Sequence, residues 1–242
     1  MIEYFKKITN KPQEEFYQDV KKAIIEDKKM FIITANPETL MIAEKDNVFK
    51  DIVLGDETTV VADGIGIIKG AKILNIPIKN RILGVDLSIK LLEYLNEFEK
   101  SIFLFGAKPE VIEKLKEMIN INYPKVKIVG AENGYIENKD EIFLKIKDIK
   151  PDVVLVALGI PNQEKLISKY YSEFEKGIFV GVGGSFDVIS GSKKRAPKIF
   201  IKLNLEWLYR ITKEPKRLKR FFESNIKYIF KIKKERKRIN ND

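Results

Sequence analysis

The chain has 242 residues and contains neither histidine nor cysteine. Ser-His-Asp and thiol catalysis, disulfide frameworks, and His- or Cys-ligated metal centres are therefore excluded, and acid–base chemistry falls to Asp, Glu, Lys or Tyr. Asp63 is the best-placed carboxylate. It follows the apolar run Val60–Ala62 and precedes two closely spaced glycines, Gly64 and Gly66. That position suits a general base at a strand end, and equally the N-cap of a helix over Gly64–Leu74. Asp187, in the glycine-rich GVGGSFD run with Gly183 and Gly184, competes for the role, with a turn or cap as its alternative. Polar or glycine residues also follow other apolar runs: Thr34 and Asn36, Gly106, and Gln163. Glycines let backbone N–H groups approach a phosphate, so several such ends together suggest a nucleotide diphosphate site. Arg81 could clamp that diphosphate or be an ordinary surface cation, and Asn36 and Gln163 could equally be cap or turn residues. There is no GxGxxG, no Walker A sequence and no Asp-x-Asp pair, so a nicotinamide oxidoreductase is disfavoured and a Mg²⁺-dependent reading is weakened.

These residues need a scaffold that brings strand ends together. Short apolar runs at Phe31–Thr34, Ile52–Leu54, Val60–Ala62, Ser101–Phe105, Val126–Val129, Val153–Leu158 and Ile178–Val182 predict strands buried on both faces. Between them, helices are predicted over Pro37–Lys45, Gly64–Leu74, Asp86–Phe98, Pro109–Ile119, Lys139–Lys147 and Pro161–Tyr171. The alternation predicts an α/β fold: a mostly parallel, Rossmann-like sheet flanked by helices.

Charge divides the chain. Residues 1–192 carry a net −3, whereas residues 193–242 hold 18 Lys+Arg against 5 Asp+Glu, a net +13. Over Lys198–Ile239, apolar residues recur at helical spacing among these cations. Ile201, Leu205 and Leu208 lie beside Trp207, and Leu218, Phe222, Tyr228, Ile229 and Ile232 form a second stripe. The pattern predicts a catalytic body over 1–194 and a basic amphipathic helical appendage over 195–242. Phe, Trp and Tyr alternating with Lys and Arg favour an anionic membrane surface over nucleic acid as its partner. Met1–Gln18 lacks a signal-peptide pattern and no run is long enough to span a bilayer, so a cytoplasmic protein, peripheral on the inner face of the membrane, is expected.

An ordered series of blocks carries a resemblance: TANPE (34–38), ADGIGI (62–67), RILGVDL (81–87), FLFGAKP (103–109), GYI (134–136), LGIPNQEKLI (158–167), GVGGSFDVISG (181–191) and KRAPKIFIKLNLEWLYRITKEPKRLKRF (194–221). Over most of its length the chain resembles the WecG/TagA/CpsF family of bacterial glycosyltransferases, and within it the TagA type. The resemblance implies inverting transfer of N-acetylmannosamine from UDP-ManNAc to undecaprenyl-diphosphate-GlcNAc. The product is the β-1,4-linked disaccharide that begins wall teichoic acid. A branch using UDP-ManNAcA or another UDP-sugar is the alternative, and a non-catalytic nucleotide-binding protein at the membrane surface is the alternative of another class. The resemblance further implies Asp63 as the base, with Thr34 and Asn36 nearby. Arg81 and Gln163 would lie near the diphosphate or sugar, and Gly106, Gly183, Gly184 and Asp187 would shape the nucleotide side. Arg210, Arg217 and Arg220 would be brought by the appendage to close the pocket. It also implies that no metal or other cofactor is required, and self-association in solution.

Overall fold

The computed structural model describes residues 1–213, 218 and 222–239, with the side chains of residues 210 and 223 excepted. Helices α1 (Ile2–Lys7) and α2 (Gln13–Ile25) precede β1 (Lys29–Ala35). There follow α3 (Pro37–Ala43), α4 (Asn47–Leu54), β2 (Thr58–Ala62), α5 (Ile65–Leu74), α6 (Gly84–Phe98), β3 (Ser101–Gly106), α7 (Pro109–Asn122), β4 (Lys127–Glu132) and α8 (Lys139–Ile149). The body ends with β5 (Val153–Ala157), α9 (Asn162–Tyr171), β6 (Gly177–Gly181) and α10 (Ser185–Ile189). The C-terminal segment contains α11 (Lys198–Lys202), α12 (Glu206–Lys213), a π-helical turn (Phe222–Ile226) and α13 (Lys227–Ile239).

The six strands form one sheet in the order β2-β1-β6-β5-β3-β4, with every pairing parallel. Parallel strands need crossovers, and the crossovers cover both faces with helices. One face packs Phe31, Phe103, Phe105 and Phe179 under α1, α3, α4, α5, α8, α9 and α13. The other packs Ile32, Leu104, Leu155 and Val180 under α2, α6, α7 and α10. The α/β expectation holds, with two corrections. Ile52–Leu54 is not a strand but the last turn of α4: three apolar residues fit either period, and Asp46, whose side chain accepts from the Phe49 N–H at 3.1 Å, starts a helix there. The strand expected at Val126–Val129 runs instead from Lys127 to Glu132. It lies at the sheet edge and is partly exposed rather than buried on both faces.

At the N-terminal ends of the strands, Asp152 ties the sheet together. It is 8% exposed and accepts from the Ser101 N–H (2.7 Å), the Ser101 hydroxyl (2.6 Å) and Lys176 (2.9 Å). Burial pushes its carboxyl up, but the Ser101 and Lys176 donors outweigh that and hold it down at about 2.

The C-terminal segment is partly core. Tyr228 and Ile232 are fully buried where their helix packs on α5 and α3, and Lys231 pairs with Glu44. The stripe predicted for the membrane therefore divides: Tyr228, Ile229 and Ile232 pack on the body, while Phe230 stays 70% exposed. Glycine makes this docking feasible, because a Cβ on Gly70 would lie 2.1 Å from the Tyr228 hydroxyl. Ile199, Leu203, Trp207 and Leu208, on and between α11 and α12, are also exposed. Among the described residues, no helix is long and apolar enough to cross a membrane.

Candidate active site

The C-terminal ends of the strands carry the residues singled out above. β1 pairs with β2 so that Thr34 faces Val61 and Ala35 faces Ala62, and the Asp63 N–H donates to the Ala35 carbonyl at 2.7 Å. Asp63 thus extends the ladder by one bond beyond β2, which fixes its backbone beside Asn36. It does not occupy the cap of α5; that position is taken by Gly64, whose φ of +92° is left-handed and favours glycine. Ile82 donates to the Ala62 carbonyl at 2.9 Å, which brings the neighbouring Arg81 to the same end of β2.

Thr34 donates to the Gly181 carbonyl at 3.4 Å, linking β1 to β6. Its hydroxyl also faces the start of α6: a Cβ built on Gly84 would be 3.5 Å from the Thr34 Oγ1 and 3.6 Å from the Ser185 Oγ. The α6 N-terminus has no side-chain cap, so its N–H groups favour negative charge at this end of the sheet. Asn36 is the cap of α3. Its Oδ1 accepts from the Thr39 N–H at 3.0 Å, and the Thr39 hydroxyl accepts from the Asn36 N–H at 3.1 Å. The cap role considered from the sequence is thus occupied, and the amide nitrogen takes no part in it.

Gln163 is buried rather than displayed. Its Oε1 accepts from the Gly159 N–H (3.1 Å) and the Gly183 N–H (3.2 Å), pinning the turn after β5 to the turn after β6. One consequence is that the Gly183 N–H is already engaged. The Gln163 Nε2 donates to Glu164 at 2.7 Å. Glu164 was missed by sequence reasoning. It lies three residues before Ile167 and seven before Tyr171, on the buried stripe of α9. A carboxylate at an apolar-stripe position was the available signal.

A second feature adjoins these residues. β3 leads through α7 outward to β4, while its neighbour β5 leads through α9 the other way to β6. With α7 and α9 on opposite faces, the chain forks between β3 and β5, which is where open parallel sheets bind ligands. A crevice of about 890 Å³ lies there, between Ala107, Lys108, Gly134, Tyr135, Leu158 and Asn162. Its cations are Lys108, Lys139, Lys165, Lys169 and Lys193, against the acids Glu137, Asp140 and Asp187. Such a lining suits a phosphorylated ligand. Gly106 closes the base of the fork; a Cβ there would be 2.4 Å from the Ala157 carbonyl oxygen. Asp187 stands at the crevice edge, 3.6 Å from Lys193, and its Oδ2 lies 3.9 Å from where a Gly184 Cβ would be.

The structure therefore brings Thr34, Asn36, Asp63 and Arg81 to the β1–β2 end and places Gly106 and Asp187 at the crevice. Gln163, Gly183 and Gly184 lie between. Arg217 and Arg220 lie outside the described residues; Arg210 is on α12, its side chain outside the description. Among the described residues, no group of three or more acidic side chains is arranged to hold a metal.

An all-parallel sheet with a basic crevice at its fork and a carboxylate at the adjoining strand end has the layout of a nucleotide-dependent group-transfer enzyme. Residues 5–242 match the glycosyl transferase WecG/TagA/CpsF family, and the chain belongs to that family. It is similar to proteins named N-acetylglucosaminyldiphosphoundecaprenol N-acetyl-beta-D-mannosaminyltransferase. That of Bacillus subtilis (strain 168) is 43% identical over 189 residues, covering 78% of this chain and 73% of the relative. That of Bacillus spizizenii is 40% identical over 195 residues (81% and 76%), and that of Staphylococcus aureus (strain MW2) 38% identical over 192 residues (79% and 75%).

Proposed function

We propose that this chain transfers N-acetylmannosamine from UDP-ManNAc to undecaprenyl-diphosphate-GlcNAc, the step that begins wall teichoic acid. The relatives' names supply the acceptor and the sugar. The observation that carries the catalytic reading is the anchoring of Asp63 beyond β2 by the Ala35 carbonyl, on the same end of the sheet as the basic crevice.

In this reading UDP occupies the fork between β3 and β5, with its diphosphate met by crevice lysines, while Arg81 stands on the sugar side. The sugar extends toward the ends of β1 and β2. Asp63 takes the proton of the acceptor hydroxyl as its oxygen bonds to the anomeric carbon, and the bond from that carbon to the UDP oxygen breaks on the opposite face, inverting the centre. Without a metal in the scheme, the leaving diphosphate is stabilised by cations and N–H groups alone.

The C-terminal segment places the enzyme where its acceptor resides, on the anionic inner face of the membrane. Exposed Ile199, Leu203, Trp207 and Leu208 among Lys198, Lys202 and Lys213 support this, because each cation near an anionic leaflet adds about 1 kcal/mol to apolar insertion. Arg210, Arg217 and Arg220 would complete the pocket there, and copies of the chain would self-associate away from the membrane. The test is incubation with a lipid-diphosphate-GlcNAc acceptor and a panel of UDP-sugars. Turnover with UDP-ManNAc is expected; preference for UDP-ManNAcA would assign the alternative donor, and UDP binding without transfer from any donor would reject the enzymatic reading.

A further inference from the structure

Glu164 has no part in the chemistry just described, yet it is 2% exposed at the centre of the site's supporting layer. One oxygen, Oε1, accepts from the Gln163 amide at 2.7 Å; the other, Oε2, is buried with no hydrogen-bond partner among the described residues. The space for this pair exists because residue 181 is glycine. A Cβ there would be 2.6 Å from the Gln163 Nε2 and 2.8 Å from the Glu164 Oε1. The bond between them sets which way the Gln163 amide points, since only its oxygen can accept from the N–H groups of both Gly159 and Gly183.

We propose that Glu164 is a positioning residue which, as a neutral carboxylic acid, orients the Gln163 amide and thereby holds the turns after β5 and β6 on either side of the site. An ionised carboxylate would leave a buried oxygen carrying charge without a donor, which is costly; the protonated form avoids that charge. Among the described residues, the surroundings supply no cation to offset it. α9 packs against β6, whose residues Gly177–Gly181 carry no titratable side chain, and against α4. There Lys165 takes Asp46 at 2.5 Å, Glu3 takes Lys50 at 2.9 Å, and Asp51 is exposed. From α8, Asp140 is occupied by Lys169 at 2.7 Å and by the Tyr170 hydroxyl at 2.8 Å. Burial pushes the Glu164 carboxyl up to about 7, with the Gln163 donor and its own N–H opposing. Above that pH the carboxylate forms; the Gln163 N–H still donates to Oε1, but Oε2 then carries charge with no donor among the described residues, which favours rearrangement of this layer and loosens the two turns it braces.

The activity readout rests on the transferase reading; a direct titration does not. In the full chain labelled with ¹³C at glutamate carboxyls, the resonance lost in Glu164→Gln should titrate near 7, and titration in the ordinary carboxylate range would overturn the proposal. In pH–rate profiles, Glu164→Gln should keep kcat within about threefold at pH 6 and lose an alkaline inflection near 7 that the parent shows, because the neutral amide reproduces the acid's acceptor at every pH. Glu164→Ala should lower kcat at least about tenfold, with Gln163 unsupported. A Glu164→Gln profile superimposing on the parent's overturns the proposal even if Glu164→Ala does not fold. A parent without transferase activity would reject the functional reading and leave the titration to decide the state of Glu164.

Discussion

Tyr228 donates its hydroxyl proton to the carbonyl oxygen of Gly66, 3.2 Å away, and so joins the C-terminal helix to the first turn of α5, three residues from Asp63. Gly66 in turn abuts the start of α3, where a Cβ on it would be 2.4 Å from the Pro37 ring. Tyr228→Phe should remove one hydrogen bond and about 1 kcal/mol of stability. Gly70→Ala, which drives a methyl into Tyr228 and Phe5, should cost about 1–3 kcal/mol by overpacking. Denaturant titration checks both, and an unchanged stability of Gly70→Ala would contradict the packing described here.

Asp63→Asn keeps the backbone bond to Ala35 and the side-chain shape while removing the base. It should lower kcat by about 10²–10⁴-fold and leave UDP affinity within a factor of about two. Turnover at the parental rate would remove Asp63 from the base role.

Lys108 and Lys139 line the crevice at its β3 and α8 walls. Lys108→Glu and Lys139→Glu should each weaken UDP binding about tenfold, roughly 1.4 kcal/mol, at low salt and less as salt rises. Isothermal titration at two ionic strengths tests this; salt-independent losses would mean the diphosphate lies elsewhere.

Acid stability should depend on Asp152. Its folded carboxyl lies near 2, below the ordinary 3.8, so the stability it contributes is present above 3.8 and is lost as pH falls toward 2. Asp152→Asn should destabilise the protein at pH 7 by about 2 kcal/mol and flatten the loss between pH 4 and 2. Thermal midpoints across that range supply the measurement.

Trp207→Ala combined with Leu203→Ser should reduce binding to vesicles rich in anionic lipid at least about fivefold while leaving thermal stability near that of the parent, because both side chains are exposed. Unchanged sedimentation with vesicles would reject this face as the membrane contact.

Much of this fold was legible because buried parallel strands write themselves as uninterrupted β-branched runs, as at Val153–Ala157, and because Pro37 and Pro109 mark helix starts. Ile52–Leu54 was misread because a three-residue run carries no period, and Asp46, the signal that settles it, stands outside the run. The apolar stripe at Tyr228, Ile229 and Ile232 showed only that these residues seek an apolar surface; that the surface is α5 and not lipid depends on Gly70, more than 150 positions away. For the site, spacing singled out Asp63 and the glycine turns. It did not reveal that Gln163 faces inward, because a polar residue after a strand looks the same whether it meets substrate or braces a loop.

The strand order sets two tasks side by side along one sheet. In the proposed function, recognition of the nucleotide would fall to β3, β4 and β5, and bond making to β1 and β2, with β6 as the seam between them. Loops on the recognition half would thus be free to drift in sequence without disturbing the proposed base. Discrimination between epimeric donors would concentrate in the short stretch from Gly181 to Asp187, where the two halves meet, and exchange of that stretch between related enzymes is the most economical route to a new sugar preference.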